Sequence, residues 1–421
     1  MSGLYSPINK LMEQVARPKG TGAEYMTELQ KKPGYKPAEA EDRDLQALMA
    51  LPQMERAAFM EKFKGQANKF PLKMRELEGR QTHHKQQTLP GGENYREILL
   101  HTPMPEGQGF PGVPHHFGGM PNILASIRVK DRASPEGKKI LHLEEIQSDW
   151  HQQGREKGYL NPKEKHTPEE KKYGIPYGPH AKDWHELALK AMIQHAAENG
   201  YDQIAVTPGA EQNKRYGLSA HVDTLHSGKN NDGTWTVAGK KNGKVVFAKE
   251  ISEKDLSRHV GKDIAEKIIA SGRGGKLEGQ DLEVGGEGMK GFYDKMVPTF
   301  LNKFGKKHGV QVQQGAITTP ATNPPNTVQE LVNNHGVPVS QIQAMDNAQR
   351  NALLDSYRNM QSPVHTFDIT PAMREDVLKN GIPRYADGGD VSRETKAKGG
   401  EVTMPPSMDT MQYELINRKA K

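Results

Sequence analysis

Residues 123–147 constrain the fold of this chain more than any other stretch, because their pattern predicts a β-hairpin. In "ILASIRV" every second residue is apolar, which places four side chains on one face of a strand: Ile123, Ala125, Ile127 and Val129. The turn-rich "DRASPEGKK" follows, and "ILHLEEIQ" returns as the second strand. The fold must therefore contain a sheet built on this antiparallel pair.

A long helix and further strands follow the hairpin. Residues 183–199 predict a helix with an apolar stripe, a capping box made by Asp183 with Glu186, and a stop at Gly200. The segments "YDQIAV", "GVQVQQGAI" and "HTFDIT" each read as one more strand. We therefore expect an α+β fold with a mixed central sheet and flanking helices.

The composition along the chain divides it into one main domain and looser parts. Segments rich in Pro, Gly, Lys and Glu, without an apolar period, are typical of arms and linkers. The predicted parts are a flexible N-terminal arm (1–41), a small helical element (42–66), a main α+β domain (90–317 plus 363–384) with an insertion (210–284), a polar linker (318–362) and a flexible tail (385–421).

The overall composition excludes several classes of protein. The chain has no Cys, which excludes disulfide scaffolds, Cys nucleophiles and Cys-ligated zinc, and which fits a reducing compartment. No stretch has the ~20 apolar residues of a membrane span, and the N-terminus lacks the apolar run of a signal peptide. The 58 basic and 52 acidic residues form no basic stripe, so nucleic-acid binding gains little support.

The returning strand of the hairpin carries two adjacent carboxylates, Glu144 and Glu145, near its end. If the strand is regular, Glu145 continues the face of Leu141 and Leu143, while Glu144 lies on the opposite face. A carboxylate in a covered strand is partly desolvated, which raises its pKa toward the value that a general base needs. Glu145 is therefore the preferred catalytic candidate and Glu144 the second.

Three polar residues follow these carboxylates and are candidates for ligand binding: Gln147, Asp149 and His151. Asp149 and Gln152 have the spacing of a capping box, so a helix N-cap explains Asp149 at least as well as a ligand contact does. His151 falls on the first helical turn, where a surface position explains it equally.

Other candidates lie in glycine-rich loops. The turn "GGEGMKG" precedes a predicted helix, and its Gly286 and Gly288 suit either an anion site or close helix packing. Tyr293 on that helix is either a proton donor or a packing residue, and Arg215 either binds an anion or lies in an exposed turn. Neighbouring His115 and His116 point apart on an extended chain, so no metal site is predicted.

The sequence resembles a module of tailed-phage proteins, where it occurs alone and within large polyvalent proteins. The resemblance is carried by "LHLEEIQSDWHQQGREKGY", "NILASIRVKDR", "GGEGMKGFYDKM" and "FDITPAMREDVLKNGIPRYADGG", and covers most of residues 15–390. It implies a phage or prophage origin and a location in the host cytoplasm or the virion. It does not imply an established activity.

The order of elements is also similar to that of GNAT-type acyltransferases. The resemblance implies an acyl-CoA cofactor, Glu145 as base, Tyr293 as the acid that protonates the thiolate, and the Asp183–Glu186 helix start as the diphosphate site. The chain departs from the family because the usual Gly-rich diphosphate loop is missing. "YGPHAKDWHE" stands there instead, and its acidic residues repel phosphate.

Three functional hypotheses follow. The first is a phage accessory enzyme with a GNAT-like acyl-transfer site on the Glu144/Glu145 strand. The second is a virion or host-interaction protein, with other phage or host proteins as partners, in which the polar cluster only organises the fold. The third is an ADP-ribosyltransferase or hydrolase. A cleft at Glu145 favours an enzyme, whereas a packed and paired Glu145 favours the second hypothesis.

Overall fold

The chain folds around a seven-stranded sheet in the computed structural model. The structure describes residues 3–67, 70–82, 84–85, 87–105, 109–113, 116–134, 136–160, 164–216, 218–282, 287–321 and 324–385. The predicted tail lies outside the described residues, except for Tyr385, which is buried.

The N-terminal residues form a small helical unit. Its elements are β1 (Leu4–Tyr5), α1 (Pro7–Glu13), β2 (Lys19–Gly20), α2 (Gly22–Gln30), α3 (Pro37–Asp42), a 3-10 turn (Leu45–Ala50), β3 (Met54–Glu55) and α4 (Arg56–Ala67). They enclose an apolar core that includes Met12, Tyr25, Met26 and Phe59. The prediction of a flexible arm over residues 1–41 is therefore wrong, because apolar residues spaced along this polar stretch pack on one another.

The main sheet and its helices occupy the middle of the chain. In chain order the elements are β4 (Lys73–Glu78), β5 (Glu93–His101), β6 (Ile123–Ala133), β7 (Lys139–Gln147), α5 (Asp149–Lys157), β8 (Tyr159–Leu160), α6 (Pro168–Tyr173), β9 (Ile175–Pro176), α7 (Trp184–Glu198), β10 (Gln203–Val206) and α8 (Gly209–Tyr216). The predicted hairpin is confirmed, because β6 and β7 pair antiparallel.

The insertion folds around a second sheet. Its elements are α9 (Leu218–His221), β11 (Thr224–Lys229), β12 (Trp235–Lys241), β13 (Lys244–Ile251), α10 (Leu256–Val260), α11 (Lys262–Ala270) and β14 (Gly274–Glu278). The strand order is β13-β12-β11-β14, and the helices cover a separate core around Trp235, Val237 and Ile264. The insertion is thus a small module attached to the main sheet.

The last part of the chain completes the main sheet. Its elements are α12 (Glu287–Lys290), a π-helical turn (Gly291–Met296), α13 (Val297–Gly305), β15 (Gln313–Pro320), α14 (Val328–His335), α15 (Val339–Gln343), α16 (Asn347–Arg358), β16 (Asn359–Asp368), α17 (Pro371–Asn380) and β17 (Ile382–Pro383). The polar linker predicted over 318–362 is wrong. Three helices form there, and Leu331, Val337, Ile342 and Leu354 give them a core.

The strand order of the main sheet is β15-β16-β10-β7-β6-β5-β4. Its neighbouring strands are antiparallel except for β7 and β10, which are parallel and are joined by a long crossover that ends with α7. Parallel strands need such a crossover, because a tight turn can join only antiparallel neighbours. The predicted α+β fold with a mixed central sheet and flanking helices is confirmed.

The two faces of the main sheet differ. On one face Leu141, Leu143 and Ile146 of β7 pack with α7 and α13 in the largest apolar core. The other face, here called the polar face, carries buried Arg128, Lys130, Arg132, His142 and Glu144. Buried charges of this kind require partners, and those partners define the candidate site.

The N-terminal core can be tested with two methionines. Met26 is fully buried, whereas Met49 is 37% exposed. We expect Met26→Ala to lower the free energy of unfolding by about 2–5 kcal/mol, because a cavity remains, and Met49→Ala to change it by less than about 0.5 kcal/mol. Urea unfolding of both variants measures the difference. Equal effects would contradict a packed N-terminal unit.

Candidate functional site

A β-bulge shapes the end of β7. Val129 of β6 lies opposite Leu143, but its neighbour Arg128 lies opposite Glu145, so Glu144 is an extra residue in the strand. The extra residue reverses the alternation, and Ile146 rather than Glu145 joins the apolar core of Leu141 and Leu143. The prediction that Glu145 continues the Leu141/Leu143 face is therefore wrong.

Glu144 is fully buried on the polar face and is bound from three directions. Arg132 Nη2 lies 3.3 Å from Oε1, and Arg215 Nη2 lies 2.7 Å from Oε2. The backbone N–H of Leu89 donates to Oε2 at 3.0 Å. The carboxylate thus joins β7 to β6, to α8 and to the segment before β5.

The protonation of this group follows from its surroundings. Burial alone would raise the pKa of Glu144, but neighbouring His142, the Arg215 guanidinium and the Leu89 N–H hold that pKa well below its usual range. Burial lowers the pKa of His142. His142 Nδ1 accepts from Arg132 Nε at 2.9 Å, and its Nε2 lies 3.0 Å from Thr207 Oγ1. Glu144 is thus ionised, and Arg132 and Arg215 are its cationic partners.

Glu145 is paired with the neighbouring strand. Its Oε2 lies 2.6 Å from Arg128 Nη1, and the residue is 8% exposed. Arg128 Nη1 also donates to Gln87 Oε1 at 2.8 Å. A role for Glu145 as a base would therefore require Arg128 to turn away from it. This packed and paired arrangement is the one that favours an organising role.

The parallel strands β7 and β10 separate beside Glu144. Their last pair is Leu143 with Val206, after which the N–H of Thr207 donates to Leu143 O at 3.2 Å. Beyond this contact, side chains fill the gap between β7 and β10. This gap is here called the seam. Gln212 Nε2 and Arg215 Nη1 donate to Glu144 O at 2.6 and 3.1 Å.

Tyr293 occupies the far end of the seam. Its hydroxyl accepts from the N–H of Ile146 at 3.0 Å and donates to Ile146 O at 3.1 Å. Burial, followed by the nearby Glu145 carboxylate, raises the pKa of Tyr293, so the phenol keeps its proton at neutral pH. Four of the site candidates predicted from the sequence thus lie together at the seam: Glu144, Glu145, Tyr293 and Arg215.

The residues after β7 have other partners. Gln147 ends the strand opposite Ser126 and is buried. Ser148, not Asp149, caps α5, because its side chain accepts from the N–H of His151. Asp149 instead binds His116, with 2.7 Å between Oδ2 and Nδ1. The prediction that Asp149 is the N-cap of α5 is therefore wrong, because the preceding residue has that role.

His151 is a core residue and not a surface one. Its ring stacks on Trp150 with centroids 5.6 Å apart, and its Nδ1 lies 3.0 Å from the Tyr159 hydroxyl. Burial lowers the pKa of His151 to about 3, so the ring is neutral. The surface interpretation of His151 is wrong, because α5 presents this side of its first turn to the protein interior.

The remaining predicted residues lie apart from the seam or outside the description. Gly286 lies outside the described residues, as does His115. Gly288 lies in the four-residue α12, which packs beside α8.

The predicted capping box of α7 is absent, because Asp183 makes no cap bond and contacts His180 Nδ1 at 3.0 Å. Burial would raise the pKa of Asp183, but His180 outweighs it and lowers that pKa to about 2.

Sequence reasoning missed the basic side of the polar face. Arg128, Lys130 and Arg132 occupy alternate positions of β6, so their side chains share one face, and each is less than 9% exposed. The signal was present in "RVKDR", whose basic residues recur with the period of a strand. Gln212 carried no comparable signal, because its role depends on where α8 docks.

None of the protein-family models, curated proteins and solved structures compared with this chain matches it. Among the residues that the structure describes, no three His, Asp or Glu side chains gather as a metal site would require. In the same part of the chain no helix has the length and apolar character to cross a membrane.

The buried ion cluster predicts a strong effect of Glu144→Gln. The amide leaves Arg132 and Arg215 without a counter-charge, and breaking a buried pair in this way costs about 3–5 kcal/mol. Glu136→Gln in the exposed hairpin turn is the matched control and should change the free energy of unfolding by less than about 0.5 kcal/mol. Urea unfolding tests both, and a Glu144 variant as stable as its control would contradict an organising ion cluster.

Neutral His151 predicts a loss of stability in acid. Its pKa is about 6.5 when unfolded and about 3 when folded, so the unfolded state binds more protons between these values. The free energy of unfolding then falls as the pH falls through this window, by up to about 1.4 kcal/mol per pH unit from this group. His151→Asn should reduce that slope between about pH 6 and pH 4 in urea titrations. An unchanged slope would show that His151 titrates normally.

Proposed function

We propose that this chain is a GNAT-like acyltransferase whose reaction centre is the seam. The observation that supports it is the strand order. When β4, β5, β6, β7, β10, β15 and β16 are numbered one to seven, their order in the sheet is 1-2-3-4-5-7-6, and only four and five are parallel. This arrangement resembles the order of elements in GNAT-type acyltransferases, in which a helix follows the central strand that carries the base.

The seam suits the acyl end of a thioester substrate. Ligands of α/β sheets bind beyond the carboxyl ends of parallel strands, where β7 and β10 separate. The Ile146 N–H on the separated edge is a donor of the kind that polarises a carbonyl oxygen, and Tyr293 now holds it at 3.0 Å. Movement of this one hydroxyl would free the donor.

The start of α7 does not suit the diphosphate of acyl-CoA. Asp183 is ionised there, and Asp42 lies beside it, bound by the N–H of His180 at 2.9 Å and the Tyr385 hydroxyl at 3.1 Å. Negative groups at a helix start repel phosphate. The proposed donor is therefore an acyl thioester whose phosphates, if it has them, lie elsewhere on the protein.

Two residues of the chain would each carry out one proton transfer of the reaction. Transfer of the acyl group to an amine forms a C–N bond and breaks the C–S bond. Glu145, once released by Arg128, would accept the proton that the amine loses. Tyr293 would donate its phenolic proton to the leaving thiolate and then recover one from solvent. Such acid–base contributions are typically worth 10²–10⁴-fold in rate.

Acetyl-CoA and acetyl-pantetheine, each mixed with a panel of amines, test this proposal in a thiol-release assay. We expect Glu145→Gln and Tyr293→Phe to lower the rate about 10²-fold or more. The controls Glu136→Gln and Tyr25→Phe should retain it, since the Tyr25 hydroxyl donates to Met54 O and its ring belongs to the separate N-terminal core. Binding of neither thioester to the wild-type protein would overturn the proposal.

A non-catalytic role in the virion or in host interaction is the second candidate. The observation that favours it is that Glu144, Glu145 and Tyr293 all have partners within the chain, with Tyr293 bonded twice to Ile146. In that case Tyr293→Phe would lower the free energy of unfolding, and the wild-type protein itself would show no thiol release. The resemblance to a tailed-phage module supports a phage origin under either candidate.

A further inference from the structure

A short segment crosses the polar face before β5. Residues 87–91, here called the strap, contact it through both side chains and backbone. The Leu89 N–H binds Glu144 at 3.0 Å. The Leu89 side chain is buried with Ile140, Ala205, Ile317 and Val364. The strap is thus held by one buried apolar side chain, that of Leu89, and by polar contacts.

The strap presents three consecutive carbonyl oxygens to two buried cations. Lys130 Nζ donates to Leu89 O at 2.7 Å and to Gly91 O at 2.9 Å. Arg132 Nη2 donates to Leu89 O at 3.2 Å and to Pro90 O at 3.1 Å. Neutral carbonyls therefore fill positions in which the oxygens of an anion would also supply an opposite charge to these cations.

The charge beneath the strap is unbalanced. Lys130, Arg132 and Arg215 surround one carboxylate, Glu144, so three positive charges face one negative charge. Burial lowers the pKa of Lys130 to about 8, so the amine is still mostly charged at neutral pH. Buried charge without a counter-charge is costly, and an incoming anion would relieve that cost.

Gly91 and the following Gly92 give the end of the strap a backbone that no side chain restricts. Gly91 and Gly92 both have positive φ, at +71° and +75°, a conformation that glycine adopts without steric cost. We infer that the strap covers a binding site for an anion of the diphosphate class, whose oxygens replace the carbonyls of Leu89, Pro90 and Gly91. This inference does not depend on acyl transfer.

Calorimetric titration with inorganic diphosphate tests the site. Leu89→Ala removes the apolar anchor without changing a cation, and we expect it to tighten diphosphate binding at least about tenfold, because the strap then competes less well. Adding Lys130→Gln should abolish that gain. The matched control is Lys138→Gln, since Lys138 is exposed and pairs with Asp368 at 3.0 Å. It should leave the gain intact.

Hydrogen exchange gives a second readout on the unmodified chain. Diphosphate should accelerate exchange of the Leu89 amide, which Glu144 now protects, and leave the amides paired between β6 and β7 unchanged. The inference is overturned if folded Leu89→Ala binds diphosphate no more tightly than wild type, or if Lys138→Gln removes the gain as fully as Lys130→Gln. If Leu89→Ala does not fold, an unchanged Leu89 amide in the wild-type protein overturns it.

Discussion

The buried carboxylate of Glu144 is the interaction on which the architecture around β7 depends. It is an ionised group without access to water, so it persists only where donors converge. Those donors come from three separate parts of the chain: Arg132 on β6, Arg215 on α8 and the N–H of Leu89. The bulge that makes room for Glu144 also moves Glu145 to the polar face. One extra residue in a strand therefore sets both the charge cluster and the position of the seam.

Much of the central sheet could be predicted because its signals are local. The alternation from Ile123 to Val129 and the apolar stripe of α7 are properties of a few consecutive residues, and both elements formed as expected. The bulge could not be predicted in the same way. Alternation assumes that each residue has one partner, and nothing in "HLEEIQ" shows that Arg128 skips Glu144 to meet Glu145. The candidates were therefore identified correctly, but one was placed on the wrong face.

The packing of residues 1–41 in the N-terminal unit was missed for a different reason. Its polar composition resembles that of an unstructured arm, and its apolar residues are few and widely spaced. They pack because contacts distant in sequence fix the chain. Asp42, for example, accepts hydrogen bonds from Tyr177 and Tyr385, which follow it by 135 and 343 residues. Patterns within a short window contain no information about such partners.

The pairing of β1 with β17 has a consequence for synthesis. Leu4 lies beside Ile382 in parallel strands, and Tyr5 lies beside Pro383. A ribosome releases the first of these strands long before the second, so the N-terminal strand has no partner while most of the chain is made. β15 and β16, which complete the sheet beside β10, also appear late. Final closure of the structure is therefore an event that follows translation of residue 383, and a truncated product would keep an open sheet edge that can pair with other chains.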